Sequence, residues 1–350
     1  MEPLLQGSAT VSDERRSASW AGAEPKVSVV VATHQRAAYL RELLEVLGDQ
    51  TVGTSAFEVI VCDDGSTDDT WGVLEQAVAD GALRLCALRL PRSGGPSGAR
   101  NAASAQARAD IIAFTDDDCL PTPGWLDALA RALVPGVDVV QGAVTPAPTE
   151  REASGPWDKT LWVSGPTPWF ETANIAYRRA LFERLGGFIE ADGVSRRPGG
   201  MAFGEDCLLG ARAMAAGAGR SYEAAALVHH RCIPGDFSDY LETRRRLVGF
   251  PALARRSEPI REYLLAGVFL TPRSAAFDLS LVGLALAILR RQPLWLLVSL
   301  WYVRAVWPDV RRRRGGPRTR AIRLVQLAYG DAVGFAWLLR GSLRHRRPVL

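Results

Sequence analysis

Lysine is nearly missing from this chain. Of its 42 Lys and Arg residues only Lys26 and Lys159 are lysines, so arginine carries the formal charge of +4. The five cysteines, Cys62, Cys86, Cys119, Cys207 and Cys232, show no CxxC spacing. That argues against a disulfide framework or a zinc site and fits a reducing compartment. Residues 1–25 are polar and lack the apolar core of a secretory signal, so they are read as a disordered arm. No apolar run reaches the ~20 residues that span a bilayer. There is no internal repeat, and the arginine-rich end is the sole biased tract. What remains is a chain of 350 residues, 47% hydrophobic, enough for one large domain or two modest ones.

A β-α-β alternation fills the first two thirds. Residues 27–32 form a β-branched run, and Tyr39, Leu40, Leu43, Leu44 and Leu47 then recur at helical spacing. Strands are expected at 57–62, 83–90, 111–115 and 137–144, with helices at 68–79, 100–108 and 125–133 between them. Residues 146–168, rich in Pro, Gly and Trp, read as a long functional loop. A strand at 172–177, helices at 179–185 and 206–216 and a strand at 223–228 complete a domain spanning 26–235. Such alternation implies an α/β fold with a mostly parallel sheet covered on both faces.

The third part, 236–350, reads as helical, apolar and basic. Residues 279–289 and 294–303 are apolar, interrupted by Arg290, Arg291, Gln292 and Pro293, and carry Trp295 and Trp301, with Trp307 just beyond. Beyond Val310 eleven arginines face the single acid Asp331. Short apolar runs with interfacial tryptophans and a basic tail suit an anionic membrane surface better than nucleic acid.

Asp116, Asp117 and Asp118 close the apolar run 111–115. Ligands gather at strand ends of this kind. Three adjacent carboxylates are costly to bury without a cation. Oxygen ligands suit Mg²⁺ or Mn²⁺ shared with substrate phosphates, so the cluster reads as a metal–diphosphate site. Asp63-Asp64-Gly65-Ser66 ends another strand and can turn the chain or accept from a nucleobase or ribose. Ser93 to Asn101 is a Gly-rich loop entering a helix, with Arg100 as an added charge for a phosphate. Glu205 and Asp206 open a helix, where the dipole favours acids and a carboxylate can act as a general base. Either His229 or His230, at a strand end, could complete the metal shell or contact a diphosphate.

In their order these pieces resemble the family 2 glycosyltransferases. The resemblance covers about 200 residues, from Val27 to His230: the turn Ala32-Thr33-His34-Gln35-Arg36, Asp63-Asp64-Gly65-Ser66, Ala99-Arg100-Asn101, Asp116-Asp117-Asp118, Gly186-Gly187-Phe188 and Gly204-Glu205-Asp206. It implies a GT-A-type nucleotide-sugar-binding domain, inverting transfer and a Mg²⁺ or Mn²⁺ cofactor. Ala32, Thr33, Arg36, Asp64, Arg100 and Asp117 then belong to the nucleotide-sugar, commonly UDP-linked. Asp116 and Asp118 hold the metal with His230, Asp118 most directly. Asp206 is the base, Glu205 its companion, and Asn174 and Gly187 lie on the acceptor side. Cys119 departs from the family pattern, which often has a further acid there. The Gln-x-x-Arg-Trp motif of processive members is replaced by Glu242-Thr243-Arg244-Arg245-Arg246-Leu247, which implies addition of a single sugar. The expected acceptor is a cell-envelope glycan, glycolipid or metabolite, and the expected location the cytoplasmic face of the cell membrane. The alternatives are a catalytically silent, membrane-bound sugar-nucleotide-binding protein, and a sugar-phosphate nucleotidyltransferase, whose usual basic Gly-rich opening loop is not found at 32–36.

Overall fold

The computed structural model describes residues 10–151, 155–189, 204–311 and 316–350. The chain divides into two compact units, Met1–Ala153 with Thr160–Cys232, and Ser154–Lys159 with Ile233–Leu350. The second begins three residues ahead of the boundary read from sequence and also takes residues 154–159 of the long loop.

The first unit carries the strands β1 (Asp13–Arg16), β2 (Val27–Thr33), β3 (Phe57–Asp63), β4 (Leu85–Arg89), β5 (Ile111–Phe114), β6 (Cys119–Pro121), β7 (Val139–Pro146), β8 (Ile175–Arg178) and β9 (Arg220–His230). Its helices are α1 (Ala37–Gly48), α2 (Thr70–Asp80), α3 (Pro96–Ser104), α4 (Trp125–Ala132), α5 (Pro148–Arg151), α6 (Arg179–Arg184) and α7 (Glu205–Ala215). The strands make one mixed sheet in the order β1-β4-β3-β2-β5-β8-β7-β9-β6. Six of the nine, β2, β3, β4, β5, β7 and β9, run in one direction, and β1, β6 and β8 oppose them.

Strand alternation sorts the apolar residues into two layers. Val29, Val31, Val59, Val61, Leu85 and Ala87 face one layer, closed by Leu40, Leu43, Leu44 and Leu47 of α1 and by Trp125 and Leu129 of α4. Val30, Ile60, Cys62, Cys86 and Leu88 face the other, closed by Ala99 and Ala103 of α3, Phe182 of α6 and Leu209 of α7. Burial on both faces is why β2 and β3 read as continuous apolar runs.

The expected disordered arm is corrected over its described part. Asp13–Arg16 pairs antiparallel with β4, giving partners to what would otherwise be the edge strand. Trp20 is buried behind it, with the guanidinium of Arg108 4.3 Å from its ring centroid. A polar segment hid this because a capping edge strand needs backbone groups more than apolar side chains.

The second unit is helical: α8 (Phe237–Arg246), α9 (Phe250–Arg256), α10 (Glu258–Tyr263), α11 (Pro272–Arg290), α12 (Ser299–Arg311) and α13 (Pro317–His345). Thr271 and Ser274 form a capping box that starts α11 well before the apolar run, so this helix reaches 19 residues. Both α11 and α13 are long and apolar enough to cross a membrane by length and composition. From Pro317 the arginine-rich end is a 29-residue helix, while Arg312, Arg313 and Arg314 lie outside the described residues. Its buried Asp331 accepts from Arg244 Nη2 (2.6 Å), Arg273 Nε (2.8 Å) and Tyr302 OH (2.7 Å), which ties α8, α11, α12 and α13 together. The last residue is pinned as well, Leu350 N–H donating to Val268 O and Leu270 N–H to Leu350 O, each at 2.7 Å.

Candidate functional site

The site is built where β2, β3 and β5 end together. Thr33 is paired with Asp63, and Asp64 N–H donates to Thr33 O at 2.8 Å. The turn at Gly65 passes so close to the chain at Arg92 that a Cβ there would lie 2.7 Å from Arg92 C. Only glycine permits that approach. It brings the Gly-rich loop onto Asp64, whose carboxylate accepts from Ser93 Oγ (2.7 Å), Gly94 N (2.9 Å) and Gly95 N (2.9 Å). Asp64 thus anchors that loop, and three of its roughly four acceptor positions are filled. Arg36, at the start of α1, reaches Asp118 Oδ2 at 3.6 Å. Ala32 is half-buried and Thr33 buried at the same strand end.

The acidic turn separates into three roles. Asp117 is turned inward and accepts from Thr33 Oγ1 at 2.7 Å, which ties β2 to the turn. Burial and then the neighbouring Asp118 push its acid up to about 7. The expected nucleotide contact of Asp117 is therefore corrected to a structural one. Asp116 pairs with Arg100 Nη2 at 2.8 Å. Asp118 Oδ1 stands 3.4 Å from His230 Nε2. β6 and β9 arrange this pair, because Cys119 lies opposite His230 in their antiparallel ladder. His229, on the other face of β9, goes to Thr145 Oγ1 at 2.9 Å. The structure thereby separates the two histidines.

His230 is prepared as a ligand. Its Nδ1–H donates to Arg231 O at 2.7 Å, which turns Nε2 toward Asp118. The 3.4 Å gap exceeds the ~2.7–2.9 Å of a charge-assisted hydrogen bond. It is near the ~3 Å between adjacent ligands of a cation bound at ~2.1 Å. Asp118, Cys119 and His230 place one ligand atom each within 4.8 Å of one another. These residues fit a divalent ion, with the Asp118 carboxylate as a hard oxygen donor and the His230 imidazole as a borderline nitrogen donor, a set better suited to Mn²⁺ than to Mg²⁺. Asp116, also expected as a ligand, pairs through Oδ1 with Arg100.

Arg100 was expected on a phosphate, but it is buried between two acids, with Nη1 3.2 Å from Glu205 Oε1 and Nη2 on Asp116. Its guanidinium also sits 5.7 Å from the Phe188 ring centroid. With two carboxylates already neutralising it, it has little charge left for a substrate anion. One side chain thereby joins the acidic turn to the start of α7. Asp206 follows Glu205 there, and its Oδ1 accepts from Cys207 N at 2.8 Å. Burial first, and then the Glu205 carboxylate, push the Asp206 acid up to about 8.

The two acceptor-side residues are structural. Asn174 is fully buried, accepts from Trp125 Nε1 (2.8 Å) and donates to Ala143 O (2.8 Å) and Ala226 O (2.7 Å). It stitches β7, β9 and α4 and offers nothing to an acceptor. Gly187 N–H donates to Phe182 O, and its carbonyl accepts from Arg212, so it closes α6 and directs Phe188 into the core. There Asn101 Nδ2 and Oδ1 pair with Phe188 O (2.7 Å) and N (2.8 Å). Sequence reasoning missed Glu171, whose carboxylate accepts from Gln141 Nε2 and from Thr167 Oγ1 (2.6 Å). Its charge also acts on Asp206. The available signal was an acid between the loop 146–168, read as functional, and β8.

A parallel strand core with an acidic turn at its carboxyl end and a second acid pair at a helix start defines the GT-A class of fold. A solved mannosyltransferase from Pyrobaculum calidifontis, in complex with GDP-Man and Mn²⁺, has this fold (TM-score 0.54, 21% identity, 93% of this chain and 88% of that one). So does Staphylococcus aureus TarS residues 1–349 in complex with UDP (TM-score 0.51, 21% identity, 92% of each chain). The model of glycosyl transferase family 2 matches residues 28–202, half of the chain, and the protein belongs to that family.

Among curated relatives, the validoxylamine A glucosyltransferase of Streptomyces hygroscopicus subsp. jinggangensis is 30% identical over 202 residues, 47% of each chain. The pre-mycofactocin glycosyltransferase of Mycobacterium tuberculosis is 32% identical over 222 residues, 58% of this chain and 42% of that one. The matches span less than half the length of each of these two relatives.

Proposed function

We propose that this protein transfers one sugar per event from a nucleoside-diphosphate sugar, UDP-linked, to an acceptor hydroxyl with inversion. The observation that carries the reading is Arg100, whose guanidinium holds the acidic turn through Asp116 and the start of α7 through Glu205. Donor-side and acceptor-side acids are thereby fixed within one side chain's reach. Asp206 removes the acceptor proton. Its raised proton affinity supports this role, since a base working near neutral pH is most effective when its pKa lies close by. Glu205 contributes the neighbouring negative charge, and Arg100 keeps that charge in place.

Asp118 and His230 would hold Mg²⁺ or Mn²⁺, with Arg36 beside them. Such an ion supplies Lewis-acid neutralisation of the diphosphate leaving group. The Mn²⁺ in the Pyrobaculum neighbour and the UDP in the Staphylococcus one support the metal and donor classes. We place the enzyme on the cytoplasmic face of a membrane, a reading supported by the two apolar helices of the second unit. Its acceptor is a cell-envelope glycan, glycolipid or metabolite.

The test is a panel of nucleotide-sugars offered to purified full-length protein with Mn²⁺, read as release of nucleoside diphosphate. Release from one donor, lost in Asp206→Asn when the true acceptor is present, supports the reading. Tight donor binding with no release under any acceptor would make the chain a silent binding protein. Release of pyrophosphate from a nucleoside triphosphate and a sugar phosphate would make it a nucleotidyltransferase.

A further inference from the structure

The second unit leaves an apolar hairpin uncovered. Ala275, Ala276, Phe277 and Asp278 of α11 are buried, but from Leu279 the helix emerges from its neighbours. Ile288 is 68% exposed, Leu289 76% and Leu294 72%. Val282, Leu284, Leu297, Leu300, Trp295, Trp301 and Trp307 are exposed as well. Soluble monomers rarely expose apolar patches beyond a few hundred Å². The hairpin is nevertheless a defined body. Gly283 lets the two arms close, since a Cβ there would meet Trp295 O at 2.7 Å.

Charge decides among the occupants. Residues 279–307 contain Arg290, Arg291 and Arg304 and no Asp or Glu. A second copy would bring like charges together with no acid to answer them. An anionic lipid surface answers both the apolar side chains and the arginines. Length decides the depth. Residues 279–290 rise roughly 18 Å at 1.5 Å per residue. Inserted tip first, they would carry Arg290 and Arg291 to the middle of a ~30 Å hydrocarbon core, where a guanidinium is among the costliest side chains. Lying along the interface, the same helices bury their apolar residues while the arginines reach lipid phosphates.

We propose that residues 279–307 form a monotopic anchor that lies within one leaflet of an anionic bilayer and does not cross it. This deepens the membrane placement above and rests on it.

The test uses full-length protein floated with vesicles of phosphatidylcholine and phosphatidylglycerol. The triple variant Ile288→Ser, Leu289→Ser, Leu294→Ser should lose vesicle binding by at least about tenfold. Its release of nucleoside diphosphate should be unchanged, which reports the donor site separately. Arg290→Gln with Arg291→Gln should weaken binding to anionic vesicles by about fivefold per arginine and leave binding to neutral ones as it was. Arg291→Cys, bound to sealed vesicles, should react with an impermeant maleimide added outside, above the level of the parent chain. Reaction only after detergent would mean a spanning hairpin and overturn the proposal. So would full-length protein that ignores vesicles, or one that forms a dimer which the triple variant abolishes.

Discussion

Asp118 Oδ1 and His230 Nε2 stand 3.4 Å apart, with the far nitrogen of the imidazole already committed to the Arg231 carbonyl. A turn after β5 and the last residue of β9 thus present two donors to one point. Asp116, two residues away, pairs through Oδ1 with Arg100.

The acids of the turn should therefore separate on mutation. Asp118→Asn and His230→Ala should each weaken Mn²⁺-dependent UDP binding by at least the ~10–100-fold that loss of a mere outer-shell partner costs a metal site. Asp116→Asn should leave metal affinity nearly intact and lower turnover by loosening Arg100. His229→Ala, which only loses Thr145, should do little to either. Calorimetry of UDP with and without chelator reads these outcomes. A large metal defect in Asp116→Asn alone would reverse the assignment.

Asp206 must be ionised to act as a base, and its acid is raised to about 8. Turnover should therefore climb with pH through that region. Asp206→Asn should lower it by ~10²–10⁴-fold with donor binding retained. Glu205→Gln removes the neighbouring like charge, so the Asp206 acid should fall and the rising limb move to lower pH. A pH–rate profile unchanged in Glu205→Gln would separate the two carboxylates functionally.

The same shift has a thermodynamic sign. A carboxyl whose folded proton affinity exceeds its unfolded one contributes stability fully present below the unfolded pKa of ~3.9 and lost as pH rises through the folded value. Wild-type protein should lose stability between about pH 4 and pH 8, and Asp206→Asn should lose less. Denaturant midpoints across that range test it; an equal loss in both proteins would assign the effect elsewhere.

Asn174→Ala should fail by unfolding. It strands Trp125 Nε1, Ala143 O and Ala226 O in the core, at ~1–3 kcal/mol for each unpaired group. A fall in thermal midpoint with near-normal activity in the remaining folded fraction is the expected pattern. Altered acceptor affinity at unchanged stability would restore an acceptor-side role.

Asp331→Ala should also destabilise the second unit, by up to ~3–5 kcal/mol, because the part-buried Arg244 and Arg273 lose the buried carboxylate they share, Arg273 keeping only Asp309. Limited proteolysis of 233–350 should accelerate while residues 160–189 stay protected. Equal acceleration in both would mean that the units unfold together.

Local chemistry made much of this legible in the sequence. Val27–Thr33 and Phe57–Asp63 had to be buried strands, because β-branched runs of that length have no cheaper conformation, and the acids that end them had to sit at the mouth of the sheet. The uncovered apolar run of α11 and its arginines were equally plain. What each polar atom does with its hydrogen bonds was decided by the tertiary structure. Arg100 next to a Gly-rich loop reads as a phosphate ligand until folding places Glu205, 105 residues later, against it. Asn174 reads as an acceptor contact until β7, β9 and α4 enclose it. His229 and His230 are equivalent in the chain and opposite in the sheet, since a strand alternates its side chains but does not say which face will meet Asp118. Spacing along a chain fixes periodicity. Partners distant in sequence, brought in to satisfy buried charge, fix which acid binds a cation and which is held by an arginine.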